Sequence, residues 1–257
     1  MKSALMIIVL SASLAAALDG PDFMLYSDIY ATNGYSINLF SFAGENNCLV
    51  QAEFQHASLY GLNQLNWNLA AAKYANGRWN LAGVFRSYGI DDMYINSYFA
   101  LHFSRRLFDI ASIGIAFERE DRTYGDNLYS DSDNSLATHA GIKYDSFNFD
   151  LTAARILFKE KKYYPHNPEI IGSVSWQADK ALLIFGQYYR NQNGHDRFLI
   201  GQDLKVNEFL MIKAGLLSAP EVYYAGFEIV YKRFAIGYTF YDISALPNCS
   251  KFTLTYR

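Results

Sequence analysis

The feature that most constrains this chain is an alternation of apolar with polar or small residues, which starts near residue 49 and recurs to the C-terminus. The last segment, residues 251–257, puts Phe252, Leu254 and Tyr256 on one face and polar side chains on the other. A period of two residues indicates β-strands, because successive side chains of a strand point to opposite faces. The pattern therefore predicts an all-β fold over residues 49–257.

Turn residues divide this region into fourteen predicted strands, with a range of 12–14. The predicted strands cover residues 49–56, 64–74, 78–88, 93–103, 107–119, 135–145, 147–158, 169–177, 181–190, 197–204, 208–216, 222–231, 233–241 and 250–257. Counted back from the C-terminus, short linkers alternate with longer ones. Outer-membrane barrels have short periplasmic turns and longer outer loops. We therefore expect a transmembrane, antiparallel, up-and-down β-barrel in the outer membrane of a bacterium.

The N-terminal part of the sequence is different. Residues 1–18 are predicted to be a cleaved signal peptide, because Lys2 precedes an apolar run over residues 4–10 and small residues occupy 15–17. A membrane anchor is the competing interpretation, but it needs about 18 apolar residues and this run is shorter. Residues 19–48 contain several turn signals and are predicted to be an irregular segment that plugs the lumen.

Composition excludes several classes of protein. Hydrophobic residues make up 51% of the chain but mean hydropathy is only -0.05, which argues against many membrane-spanning helices. The net charge of -3 argues against a nucleic-acid partner. The sequence has none of the nucleophile, phosphate-loop or Cys-x-x-Cys motifs. We expect no enzymatic activity and no cofactor.

The two cysteines are Cys48 and Cys249. The predicted topology puts Cys48 at the periplasmic rim and Cys249 in an outer loop, about 25 Å apart across the apolar band. The Cα atoms of a disulfide lie within about 7 Å of each other. We therefore predict no disulfide between these two residues.

Charged and histidine side chains within predicted strands are the candidate site residues. On the lipid face a charged side chain costs about 2–4 kcal/mol near the bilayer midplane, so these residues are expected to face the lumen. The lumen-facing candidates are Glu53, Arg86, His102, His139, Lys143, Asp203, Lys213 and Glu228. Two interpretations remain open: a plugged interior held by ion pairs, and a translocation pathway.

The acidic segment over residues 118–134 contains Asp126, Asp131 and Asp133. A calcium loop of the EF-hand type needs glycine at its sixth position and glutamate at its twelfth, and neither is present. None of the histidines pairs with another ligand at metal-binding spacing. We predict a solvated outer loop over residues 120–134 and no metal site.

From about residue 168 onward, the order of features resembles the FadL/PorV-like superfamily of outer-membrane barrels, especially its PorV/PorQ-type members. The matching pieces are residues 171–175, 198–203, 212–216, 225–227, 235–238 and 252–257. The resemblance implies about fourteen strands and an N-terminal segment that plugs the lumen. Residues 43–47 depart from the family, because they lack its Asn-Pro-Ala-type motif.

Three functions are compatible with these observations. The first is a barrel that transports or binds a small molecule, which the FadL-like resemblance would make hydrophobic. The second is a non-transporting assembly or secretion-accessory barrel that binds an envelope protein. Either would have outer-membrane lipid and lipopolysaccharide as neighbours. The third is a soluble or surface β-sandwich.

Overall fold

The computed structural model describes residues 49–59, 62–90, 93–108, 110–125, 129–157, 168–191, 194–218, 221–243 and 248–256. The predictions for the signal peptide, the plug and Cys48 lie outside these residues and stay predictions. Within the described ranges, no helix has the length and apolar character needed to cross a membrane.

The described residues form fourteen strands. They are β1 (Leu49–Leu59), β2 (Leu62–Ala75), β3 (Trp79–Ile90), β4 (Tyr94–Leu107), β5 (Ala111–Tyr124), β6 (Tyr129–Tyr144), β7 (Phe147–Leu157), β8 (Glu169–Gln177), β9 (Leu182–Arg190), β10 (Asp196–Lys205), β11 (Leu210–Leu217), β12 (Val222–Tyr231), β13 (Phe234–Ile243) and β14 (Cys249–Tyr256). Each strand pairs antiparallel with its neighbours in sequence, and β1 pairs with β14 to close the barrel. The predicted fourteen-strand antiparallel barrel is confirmed, and a two-sheet sandwich is excluded.

The barrel wall is apolar outside, and inside it buries charged side chains among apolar ones such as Trp67 and Phe185. On β1 the Phe54 side chain is 45% exposed, whereas the adjacent Glu53 is 3% exposed. On β14 Phe252 is exposed, and the adjacent Lys251 is buried. Hydrocarbon outside requires the apolar outer face and keeps the charged side chains on the inward face. Closure also leaves no strand edge, which matters because an unpaired backbone group in hydrocarbon costs several kcal/mol.

Two features of the outer linkers differ from the prediction. We call the end of the barrel that carries residues 158–168 the outer end, and the opposite end the inner end. At the outer end only residues 60–61 separate β1 from β2, so the longer loop predicted over 57–63 is wrong. The loop predicted over residues 120–134 is also wrong, because β5 and β6 continue to Tyr124 and from Tyr129.

Strand length varies around the barrel. Strands β2 to β6 have 12 to 16 residues, whereas β8 to β14 have 8 to 10. A tilted strand crosses the hydrocarbon core with about 9–11 residues. The wall formed by β2 to β6 therefore extends beyond the hydrocarbon, and the register places its additional residues at the outer end.

Candidate lumen site

The extension of β5 carries charge on both faces. Arg119 and Asp121 point outward and form an ion pair at 2.9 Å, with side chains 53% and 45% exposed. The alternate residues Glu118, Glu120 and Arg122 point inward, and both glutamates are buried. A strand with charges on both faces fits a wall that stands above the hydrocarbon, with water outside and a polar interior within.

Glu120 is the centre of an inward-facing ionic network. Its carboxylate oxygens lie 2.6 Å from Nη2 of Arg122, 3.6 Å from Nη2 of Arg86 and 3.5 Å from Nη1 of Arg155. The Asn96 side-chain amide donates a 2.5 Å hydrogen bond to the same carboxylate. Buried ions of one sign are costly unless they are paired and hydrogen-bonded. Here the ion pairs connect residues of β3, β5 and β7, and the Asn96 hydrogen bond adds β4.

Arg122 also contacts the facing strand β6. Its Nη1 lies 2.9 Å from Oδ2 of Asp133 and 3.6 Å from Oδ2 of Asp131. The side chains of Arg122, Asp131 and Asp133 are 16%, 18% and 14% exposed. They are therefore the more accessible members of the network, whereas Glu120 and Arg86 lie deeper.

Arg155 enters the network through a β-bulge. The register between β6 and β7 shifts between Leu136 and Thr138, and Arg155 has a φ of 53°. As a result Ala154 and Arg155 are both buried although they are adjacent in sequence. Bulges commonly redirect a side chain at the rim of a barrel or next to a functional site.

Glu118 and Glu169 complete this network. Glu118 accepts hydrogen bonds from the Tyr98 hydroxyl at 2.7 Å, the Ser135 hydroxyl at 2.9 Å and the backbone N–H of Arg155 at 2.9 Å. Glu169 lies 3.4 Å from Nε of Arg155. We call the whole set the ionic belt: Arg86, Asn96, Glu118, Glu120, Arg122, Asp131, Asp133, Arg155 and Glu169.

An arc of tyrosines lies at the outer edge of the ionic belt. Tyr94 pairs in register with Tyr124, and Tyr88 pairs with Asn96, so all three tyrosines share the inward face. The ring centroids of Tyr88 and Tyr94 are 6.1 Å apart, and those of Tyr94 and Tyr124 are 5.0 Å apart. We call Tyr88, Tyr94 and Tyr124 the tyrosine arc.

A second charged group lies on the wall formed by β10 to β14 and β1. Nζ of Lys213 is 2.9 Å from Oε2 of Glu228, and Asp203 is the register partner of Lys213. Glu53 accepts hydrogen bonds from the Gln55 amide and, at 3.3 Å, from the Thr255 hydroxyl. The ion pair and the hydrogen bonds lower the cost of burying these charges inside the barrel.

The two candidate histidines, His102 and His139, lie closer to the inner end of β4 and β6 than the ionic belt does. Nδ1 of His139 is 3.0 Å from the Thr152 hydroxyl, and its Nε2 is 3.4 Å from Oδ1 of Asp150. His102 is buried nearby on β4. A Cβ at Gly141 would come within 2.7 Å of the Asp150 carboxylate, so this glycine allows the polar side chains to converge.

The structure places the eight candidate residues as follows. Seven are buried or half-buried on the inward face: Glu53, Arg86, His102, His139, Asp203, Lys213 and Glu228. Lys143 shares the register of His139 but lies one residue from the end of β6, where its side chain is exposed. Arg86 joins the ionic belt, Lys213 and Glu228 form the second group, and His139 contacts Asp150.

Sequence reasoning missed most of the ionic belt. Glu120, Arg122, Asp131 and Asp133 fell within the wrongly predicted loop. No alternation marked the β5 residues as part of a strand, because every residue from Glu118 to Arg122 is charged. Arg155 could not be found either, because in a regular strand its position would face outward. The described residues contain no group of three or more His, Cys, Asp or Glu residues placed to hold a metal.

The exterior of the described strands has a concave apolar feature, which we call the outer groove. It has a volume of about 810 Å³ and lies on β6 to β11, with Phe149, Leu151, Phe198 and Ile200 among its lining residues. Those four side chains are exposed on the outward face. Gly172 contributes to the depression, since nothing lies within 4 Å of the position that a Cβ would take there.

A closed fourteen-strand sheet, an apolar exterior and charged side chains buried only on the inward face of the described strands define a multi-pass β-barrel of the outer-membrane type. No family model matches the chain, and no curated protein matches it. Membership of the FadL/PorV-like superfamily is therefore not shown.

Solved outer-membrane porins are similar in fold. A mutant of the Rh. blastica porin matches with 6% identity and a TM-score of 0.45, over 82% of this chain and 99% of that one. The KdgM porin, solved in complex with disordered oligogalacturonate, matches with 8% identity and a TM-score of 0.46, over 80% of this chain and 98% of that one. At such TM-scores these likenesses carry no argument about function.

Proposed function

We propose that this protein is an outer-membrane barrel that binds a small polar solute at its outer end and passes it through a gated lumen. The observation that supports this proposal is the ionic belt, whose charges of both signs line the inward face of β3 to β8. In barrels of this type, lumen-facing side chains set the selectivity for solutes. A charged lining favours polar cargo, because an apolar molecule would desolvate these groups without compensating hydrogen bonds.

Hydrophobic cargo, as the FadL-like resemblance implies, has weaker support. Its expected pocket of Phe, Leu and Tyr residues has a counterpart in the outer groove, which includes Phe149, Leu151 and Tyr188. The groove lies on the outward face, away from the ionic belt, and membrane lipid is its expected neighbour.

In this proposal the predicted plug, residues 19–48, gates the lumen. Fourteen strands about 4.8 Å apart with a tilt of about 40° give a backbone radius of about 14 Å, which exceeds the reach of inward side chains. Lys73, His102 and Asp203 nevertheless are 1–4% exposed, which supports a filled lumen. β1 starts with Leu49 at the inner end, and we propose that residues 19–48 enter the lumen there.

Transport is tested by conductance and liposome swelling with the full mature chain. We expect low conductance that rises when residues 19–48 are deleted, with heat-modifiable gel mobility used to verify that the deleted form folds. Asp133→Lys should shift cation selectivity toward anions, whereas the matched outward variant Asp121→Lys should not. Impermeable liposomes in both forms would contradict the transport proposal.

An assembly or secretion-accessory role is the second candidate. It is favoured by the outer groove, which offers a concave apolar surface within the membrane for an envelope protein. Affinity purification in mild detergent tests it: a stable partner that is lost with Gly172→Leu supports this role. A protein that purifies without a partner and has a conducting lumen would favour transport instead.

A further inference from the structure

The tyrosine arc and the accessible part of the ionic belt form one continuous surface at the outer end. Tyr94 and Tyr124 face each other across β4 and β5, and the next inward residues on the same strands are Asn96 and Arg122. The Asn96 amide lies 3.2 Å from the Tyr94 hydroxyl, so ring and belt are in direct contact. Aromatic faces therefore adjoin charged hydrogen-bonding groups without an intervening layer.

The accessible polar groups are donors and acceptors side by side. Arg122 is a fork of N–H donors, and Asp131 and Asp133 supply carboxylate acceptors beside it. All three keep some exposure, at 14–18%, whereas the Arg86 side chain is 1% exposed. A ligand at this surface thus contacts cationic donors, anionic acceptors and tyrosine rings at the same time.

Charge and polarity narrow the class of ligand. A fatty or purely aromatic molecule would bury these ions without satisfying them, which is costly. An anionic ligand would meet two aspartates for one arginine at the accessible layer, so like charges would oppose it. A molecule with an apolar ring face and several hydroxyl groups suits all the features, because its C–H face packs on a tyrosine while its hydroxyls donate to carboxylate and accept from guanidinium.

We propose that the tyrosine arc, with Arg122, Asp131 and Asp133, is a binding site for a neutral or cationic saccharide. The spacing of the rings, 5.0 and 6.1 Å, is comparable with the length of one sugar ring, so the arc offers room for more than one unit. This inference rests on the proposed function and names the class of its solute. The charged pairs need no rearrangement, since sugar hydroxyls bridge a donor and an acceptor that are already adjacent.

The test measures binding of four probes to the full mature chain in detergent by isothermal titration calorimetry. Maltotriose and the glucosamine trimer represent neutral and cationic saccharides, trigalacturonate an anionic one, and laurate an apolar ligand. We expect the first two to bind and the last two to bind at least tenfold more weakly. Preference for trigalacturonate or laurate would overturn the assignment.

Matched variants locate the site. Tyr124→Leu should weaken saccharide binding about two- to tenfold, which is the effect of losing one aromatic packing partner. Tyr223→Leu is its control, because Tyr223 lies near the outer end of β12 on the outward face. Asp133→Asn should also weaken binding and Asp121→Asn should not. Equal effects of inward and outward variants would overturn the proposal.

Measurements of solute flux distinguish a failure of the saccharide inference from a failure of the transport proposal. If small neutral solutes cross liposomes that contain the protein but no saccharide binds, the saccharide inference fails and the transport proposal stands. If saccharides bind and nothing crosses, the transport proposal fails and the binding site stands. If Tyr124→Leu does not fold, as judged by heat-modifiable mobility, Asp133→Asn gives the same test with a nearly isosteric change.

Discussion

Replacement of Glu120 by glutamine tests the energetics of the ionic belt most sharply. The change preserves the shape of the side chain but removes the charge that faces Arg86, Arg122 and Arg155 at 3.6, 2.6 and 3.5 Å. The side chain of Glu120 is 8% exposed, so solvent screens little of this interaction. Removing one partner of a buried ion pair costs about 3–5 kcal/mol. We expect a destabilisation in that range.

The assay is reversible denaturant unfolding in lipid vesicles, followed by tryptophan fluorescence. Asp121→Asn is the matched control, because the ion pair between Asp121 and Arg119 is exposed and is screened by solvent. The double variant Glu120→Gln with Arg86→Gln should recover part of the lost stability, since it removes one of the cations left without charge balance. Equal unfolding free energies for Glu120→Gln and Asp121→Asn would refute the reasoning.

Three further predictions concern the wall of the barrel. Gly89→Ala should destabilise the fold by about 1–3 kcal/mol, because the backbone φ of Gly89 is 153° and the new Cβ would lie 1.9 Å from the Tyr94 carbonyl oxygen. Gly83→Ala should be close to neutral in the same unfolding assay, because the atom nearest to its new Cβ is 4.0 Å away. Lys213→Gln should lower the free energy of unfolding by about 3 kcal/mol or more, because it leaves the buried Glu228 carboxylate without its cation. The charge swap Lys213→Glu with Glu228→Lys should restore part of this stability. Equal effects of Lys213→Gln and the exposed control Lys205→Gln would contradict this prediction. Phe252→Arg should lower the free energy of unfolding by about 2–4 kcal/mol, because Phe252 lies on the lipid face. Phe108→Arg is the control at an exposed turn of the inner end, and it should lower that free energy by about 1 kcal/mol or less. Equal folding yields of the two variants in vesicles would contradict the membrane placement.

The sequence was most informative where the two faces of a strand differ in polarity. The predicted bounds of β8 and β12 agree with the structure, because hydrocarbon and lumen impose opposite side-chain chemistry along their whole length. The extension of β5 gave no such contrast. Arg119 and Asp121 meet water outside, and Glu120 and Arg122 meet the ionic belt inside, so both faces are charged and the segment resembled a loop.

The candidate site was predictable only in part. The rule that charges in strands face inward led to Arg86, Lys213 and Glu228, whose partners the structure identifies. Arg155 could not be found in this way, because it depends on a bulge and a positive φ at a residue other than glycine. The tyrosine arc was equally hidden, because tyrosines near strand ends also occur as interfacial girdles on the lipid side.

The most direct test of the central claim is the accessibility of nitroxide labels placed one at a time along residues 250–256 in a lipid bilayer. The account predicts that labels at 252 and 254 collide with oxygen dissolved in the hydrocarbon, and that labels at 251, 253 and 255 do not, because Phe252 and Leu254 point outward while Lys251 and Thr255 are buried. Accessibility without a two-residue period, or with the opposite phase, would contradict a barrel that presents its apolar face to lipid.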